Sequence, residues 1–177
     1  MNDIALLRAE LEKLKERLTE VEDRQEIIDL LNRMTRGFDR HDFELVLSTW
    51  HSDGVEEHGH VTGPIADFVE YTKTYLPESY RTHSHYVTNH VVDIVGDTAY
   101  FETYTLAAVL RKNEDATQML GGRYVGRAER RDGKWGVVQR TTLGEWGGAL
   151  TPVPDWEAKT MDLIKGSRDK SDPSYRR

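Results

Sequence analysis

Apolar positions in the first part of the chain recur with helical spacing. Ile4, Leu7, Leu11, Leu14, Leu18 and Val21 are separated by alternating steps of three and four residues. They form the seam of an amphipathic helix whose other faces are Glu, Lys and Arg. An apolar stripe of this kind needs a partner. At about two and a half heptads it is short for an independent coiled coil, so docking on its own domain or on a second subunit is expected instead. From Ile27 the pattern widens through Ile28, Leu30, Leu31, Met34 and Phe38, as for a helix entering a core, and it should end near Asp39 to His41. Asp42 is a candidate N-cap for a short helix from Phe43 to Trp50. The acid-rich HSDGVEEHGHVTGP that follows reads as turn, short strand and turn. Pro64 suits the first turn of a third helix, with Ile65, Phe68, Val69 and Thr72 on one face and a stop near Pro77.

After Tyr80 the period changes. THSHYVTNHVVDIV, TAYFETYTLAAVLRK, QMLGGRYVGRAERR and KWGVVQRTTLGEW are β-rich runs separated by GD, NED and RDG turn signals. Helices followed by an antiparallel meander predict an α+β domain in which a curved sheet wraps the helices and encloses a pocket. The chain divides into an N-terminal helical extension over 1–23, the α+β domain over 24–147, and a C-terminal extension over 148–177. In that extension a short helix around Glu157 to Lys165 leads to a polar tail from Gly166.

Charge narrows the range of partners. With 24 basic against 31 acidic residues, a net charge of −7 opposes attraction to nucleic acid or anionic membrane surfaces. No apolar run approaches the roughly 20 residues of a membrane span, and the charged N-terminus is unlike a signal peptide. The chain has no cysteine, so thiolate nucleophiles and disulfides are excluded, in keeping with a cytoplasmic location.

Histidine carries most of the candidate chemistry, because it titrates near neutral pH. Strand parity puts His83 and His85 on one face and links His58 with His60. These His-x-His pairs are compatible with a metal site and equally with exposed strand residues; no accompanying metal motif is present. Asp39, at the end of an apolar helix after Phe38, has two roles open from the residues alone. It caps the turn at Arg40 to Asp42, or it faces inward and needs a donor such as an imidazole N–H.

The segments GFDRHDF, THSHYVTN and GGRYVGRAERRDGKW followed by QR resemble the SnoaL-like branch of the nuclear-transport-factor-two-like superfamily over roughly residues 24 to 147. That branch includes scytalone dehydratase, hexachlorocyclohexane dehydrochlorinase and bile acid 7α-dehydratase. The resemblance implies a cone-shaped α+β barrel, no metal or organic cofactor, and a homo-oligomer, trimer or dimer. In the lyases of the family an Asp at the end of the first long helix pairs with a strand His, matching Asp39 and His85, and an Arg after the tryptophan of the last strand matches Arg140. The sequence departs from relatives at Phe38, Met34 and Gly126, where they carry Tyr, Lys or Tyr, and Asp. The group that protonates a leaving group is therefore left among Tyr124, Tyr104, His58 and His60.

The expected function is cofactor-independent elimination, dehydratase- or dehydrohalogenase-like, from a small apolar substrate. His85 is the base, Asp39 its orienting partner and Arg140 a further stabilising group. Met34, Phe38, Trp50, Phe68 and Tyr71 are candidates to line the pocket, and each is an ordinary core residue as well. An isomerase or polyketide-cyclase-like proton relay on the same residues, and a non-catalytic binding or association module, are the alternatives.

Overall fold

The computed structural model describes residues 3–151, 164 and 166–175. Helix α1 (Asp3–Arg40) takes in both N-terminal patterns without a break, and is followed by α2 (Phe43–Ser48), β1 (Trp50–His58), β2 (Val61–Pro64), α3 (Ile65–Ser79), β3 (Tyr80–Val95), β4 (Thr98–Arg111), β5 (Thr117–Arg131) and β6 (Lys134–Leu150). The acid-rich segment is thus a hairpin of two strands rather than one strand between turns. Pro77 lies inside α3 and does not stop it.

The strands form one sheet in the order β2-β1-β6-β5-β4-β3. Strands β3 to β6 are the expected meander, but β1 runs parallel to β6, so the sheet is mixed. It is curved and unclosed rather than a complete barrel. Strand β6 continues to Leu150, past the boundary expected at residue 147. The helices pack into the concave face. Ile27, Leu31, Met34, Val46, Ile65 and Val69 meet Phe101, Trp135 and Val137 there, all nearly inaccessible.

Helix α1 ends through backbone chemistry just after Asp39. His41 takes a left-handed conformation (φ 52°), its N–H donates to Phe38 O at 3.2 Å, and the Asp42 N–H donates to Gly37 O at 2.8 Å. This pair of bonds satisfies the last helical carbonyls. Gly37 is needed at this corner because a Cβ there would stand 2.7 Å from Val46 Cγ2. Asp42 then caps α2 by accepting from Leu45 N.

Two expectations about the ends change. Residues 3–22 are exposed throughout, so the N-terminal stripe does not dock on the described part of its own domain. Segment 166–175 is no free tail: Lys170 Nζ and Tyr175 Oη both donate to Asp42 Oδ2 (2.6 and 2.7 Å), Arg40 donates to Ser167 O, and Arg168 donates to His83 O. The helix expected around Glu157 to Lys165 lies, Ile164 apart, outside the described residues. No described helix is long and apolar enough to cross a membrane.

Candidate functional site

The concave face of the sheet and helices α1 and α3 enclose a cavity of about 580 Å³, a size suited to a compact organic molecule. Two buried carboxylates hold imidazoles on its wall.

The first is Asp39. The last turn of α1 aims its side chain at β3, where strand parity brings His83 and His85 to the same face. His85 Nδ1 lies 2.7 Å from Asp39 Oδ1 and His83 Nδ1 lies 3.3 Å from the same oxygen, while the His85 backbone N–H donates to Oδ2 at 2.9 Å. Burial by itself pushes the carboxyl up. The hydrogen bonds from His83 and His85, the attraction to His85 and the backbone N–H outweigh it and hold the group at about 2. Asp39 is therefore ionised and can only accept, so both rings carry their proton on Nδ1. His85 Nε2 is left as the basic lone pair on a ring that lines the cavity.

The cluster extends outward through His41, whose Nε2 lies 3.1 Å from His83 Nε2. With His83 protonated on Nδ1, its Nε2 accepts and His41 donates. Burial first, then the neighbouring His83, Arg168 and Arg40, lower His41 to about 4, so it is neutral near pH 7. Ligand atoms of Asp39, His83 and His85 lie within 4.8 Å of one another, close enough to consider a cation. The geometry fits hydrogen bonding better, since both rings address one oxygen and the His85 backbone N–H takes the other.

The second carboxylate is Glu56 on β1. It sits in register with Arg140 on β6, and the two form a bidentate pair, Nε to Oε2 at 2.7 Å and Nη2 to Oε1 at 2.9 Å, with both side chains inaccessible. Burial raises the Glu56 carboxyl, but the Arg140 charge and hydrogen bonds from His58 and Arg140 bring it below its usual range. His58 Nδ1 stands 3.2 Å from Glu56 Oε1, and its ring stacks on Phe68 with centroids 5.1 Å apart. The Arg140 guanidinium also lies 4.4 Å over the Tyr124 ring.

Of the sequence-derived candidates, Asp39 and His85 meet directly. Phe38, His58, His60, Phe68, Tyr71, Tyr124 and Arg140 all line the cavity. Three stand elsewhere. Tyr104 is 45% exposed, because on β4 it alternates with the inward Thr103 and Thr105 and so projects from the outer face. Met34 and Trp50 are core residues behind the wall, with Trp50 Nε1 donating to Met34 Sδ at 3.2 Å. Gly126 has no room for the Asp of relatives, since a Cβ would lie 2.3 Å from Gln139 O.

Sequence reasoning missed three participants. Glu56 was hidden in an acid-rich segment that reads as turn, short strand and turn, with Trp50 assigned to the helix before it. His83 was considered only as a metal ligand, and His41 only as a helix end.

Comparison with known proteins agrees with this architecture. No curated protein matches the sequence. Among solved structures, a type 2 hexachlorocyclohexane dehydrochlorinase is similar at 21% identity and a TM-score of 0.71, covering 77% of this chain and 95% of its own. A candidate scytalone dehydratase from Novosphingobium aromaticivorans is similar at 18% identity and a TM-score of 0.67, covering 76% and 92%. An NTF2-like superfamily protein from Salmonella enterica is similar at 17% identity and a TM-score of 0.63, covering 75% and 95%. These likenesses carry the fold. The SnoaL-like domain matches residues 19–141, a span that runs from the exposed part of α1 to the strand carrying Arg140, and the chain therefore belongs to the SnoaL-like family.

Proposed function

We propose that the chain is a lyase that eliminates water or halide from a small, largely apolar and cyclic substrate without a cofactor. The observation that carries this reading is the 2.7 Å contact between Asp39 and His85 Nδ1, which leaves Nε2 of a cavity-lining ring as the base. In the step, Nε2 takes a proton from a carbon next to a carbonyl or in an activated ring. The C–H electron pair becomes the new C=C bond, and the leaving group departs from the adjacent carbon. His58 in its imidazolium form is the acid for a hydroxyl leaving group, held by Glu56 and Phe68; halide departs without it. Tyr124 and the outer edge of Arg140 face developing negative charge, while Phe38, Phe68 and Tyr71 present apolar surface to the substrate.

The fold is also shared by dehydrochlorinase structures, which suits the reading without requiring it. The test is to incubate the protein with a panel of compact cyclic β-hydroxy, β-halo and β,γ-unsaturated ketones and follow the absorbance of the conjugated product. Elimination abolished by His85→Ala is expected. Migration of a double bond without loss of water or halide would replace the lyase by an isomerase, and saturable binding with no turnover across the panel would make it a binding module.

A further inference from the structure

The first twenty described residues of α1 play no part in the cavity, yet they carry the most regular apolar pattern in the molecule. Leu7, Leu11, Leu14, Leu18 and Val21 are 52–65% exposed, an unusual state for five large apolar side chains in one line. With Leu11 and Leu18 at heptad position a, and Leu7, Leu14 and Val21 at d, the e positions are Arg8, Lys15 and Glu22 and the g positions Asp3, Glu10 and Arg17.

The helix cannot turn this seam onto its own domain. Where α1 enters the core, its buried residues include Asp23, Ile27, Leu30, Leu31, Met34 and Phe38, heptad positions c, f and g, and only the later Thr35 and Asp39 fall at d and a. At 3.6 residues per turn the stripe of six lies about 170° around the helix from the a/d seam of residues 7–21. Asp23 fixes the rotation by accepting from Trp135 Nε1 and Arg130 Nη1 at 2.8 and 2.7 Å. The domain sits on one side of the rod and the seam faces away, so a second rod can approach with both domains kept outside.

We infer that the N-terminal part of α1 pairs with the same segment of a second copy of this chain as a parallel coiled coil. Charge selects both the partner and the direction. In a parallel pair each g residue faces the e residue five positions on in the other helix. The three such pairs are Asp3 with Arg8, Glu10 with Lys15, and Arg17 with Glu22, every one of opposite sign. An antiparallel pairing that layers Leu11 on Leu14 instead mixes signs: it sets Glu10 beside Arg17 but Arg8 beside Lys15, both cationic. The shortness of the seam matters less here than in a free peptide. The rod continues a helix whose C-terminal half is locked in the core, so the cost of nucleating the helix is already met.

The experiment exploits the absence of cysteine. Full-length chain carrying Leu7→Cys, under mild oxidation, is expected to run mainly as a covalent dimer on a non-reducing gel. In the antiparallel arrangement the two introduced thiols stand about 16 Å apart, beyond disulfide reach. Sedimentation equilibrium supplies the second arm. Leu11→Lys with Leu14→Lys, and separately Glu10→Lys, are expected to weaken self-association at least tenfold with circular dichroism and melting of the globular domain unchanged. Glu10→Lys combined with Lys15→Glu is expected to restore it. Absence of the cross-link overturns the inference, as does a double charge swap that associates no better than Glu10→Lys alone. Unaltered association of the Leu11→Lys/Leu14→Lys variant would overturn it equally, and would place any assembly on another surface.

Discussion

Asp39 and Glu56 are buried carboxylates behind the wall of one cavity, each holding a cavity-lining histidine through Nδ1, and they differ in what else they hold. Glu56 is matched by Arg140, a permanent cation in bidentate contact, so a proton on His58 meets a carboxylate whose charge is already compensated. Asp39 is held by two imidazoles and a backbone N–H, and among the described residues no permanent cation is in contact with it. The same pair of residue types thus stands in two electrostatic settings, one beside a fixed cation and one without.

The largest effect expected from breaking this asymmetry is on turnover. His85→Ala should lower the elimination rate by about 10²- to 10⁴-fold, the usual contribution of a positioned base, while the melting temperature moves little. His58→Ala should slow loss of hydroxide far more than loss of halide, and equal slowing of both would remove His58 from the acid role. Next is the ion pair. Arg140→Met leaves the Glu56 charge buried and should cost about 3 to 5 kcal/mol in urea unfolding, most of it regained when Glu56→Gln is added. If Arg140→Met unfolds like the wild type, the pairing described for Glu56 is wrong.

A smaller effect lies in the pH dependence. Asp39 titrates at about 2 in the fold against 3.8 ordinarily. Its contribution is present above pH 4 and lost as pH falls toward 2, on the order of 2 kcal/mol, and Asp39→Asn should abolish that part of the profile. His41, lowered from 6.5 to about 4, resists protonation in the fold, so stability should also decline as pH falls between these values and His41→Asn should flatten that stretch. The smallest effect expected is that of a chelator. Prolonged dialysis against excess chelator should leave elimination unchanged, whereas activity restored only by added divalent metal would reassign Asp39, His83 and His85 as ligands.

The Asp39 corner was legible in the sequence because two local rules sufficed. An apolar helix ending at Phe38–Asp39 and a strand in which His83 and His85 share a face bring the groups together once helices and sheet are stacked. The family resemblance then singled out His85 as the partner. The Glu56 corner was not legible, because Glu56 gains its meaning from Arg140, 84 residues away, through a parallel pairing of β1 with β6 that no turn signal announces. Period and turn chemistry identified β3 to β6 well, since hairpins are local. The return of segment 166–175 onto Asp42 depends on ion pairs and hydrogen bonds between distant polar residues, which leave no periodicity. Tyr104 shows the reverse failure: its neighbours in sequence suggested the pocket, and alternation along β4 put it outside.

The oxygen that Asp39 offers to two rings also sets how many equivalents the site can carry. With both rings neutral, the trio carries one negative charge. Capture of a single hydrogen ion brings the trio to neutrality, and a further one would leave net positive charge enclosed beside the substrate. A site of this kind balances one added hydrogen ion and no more, since a single carboxylate serves both rings.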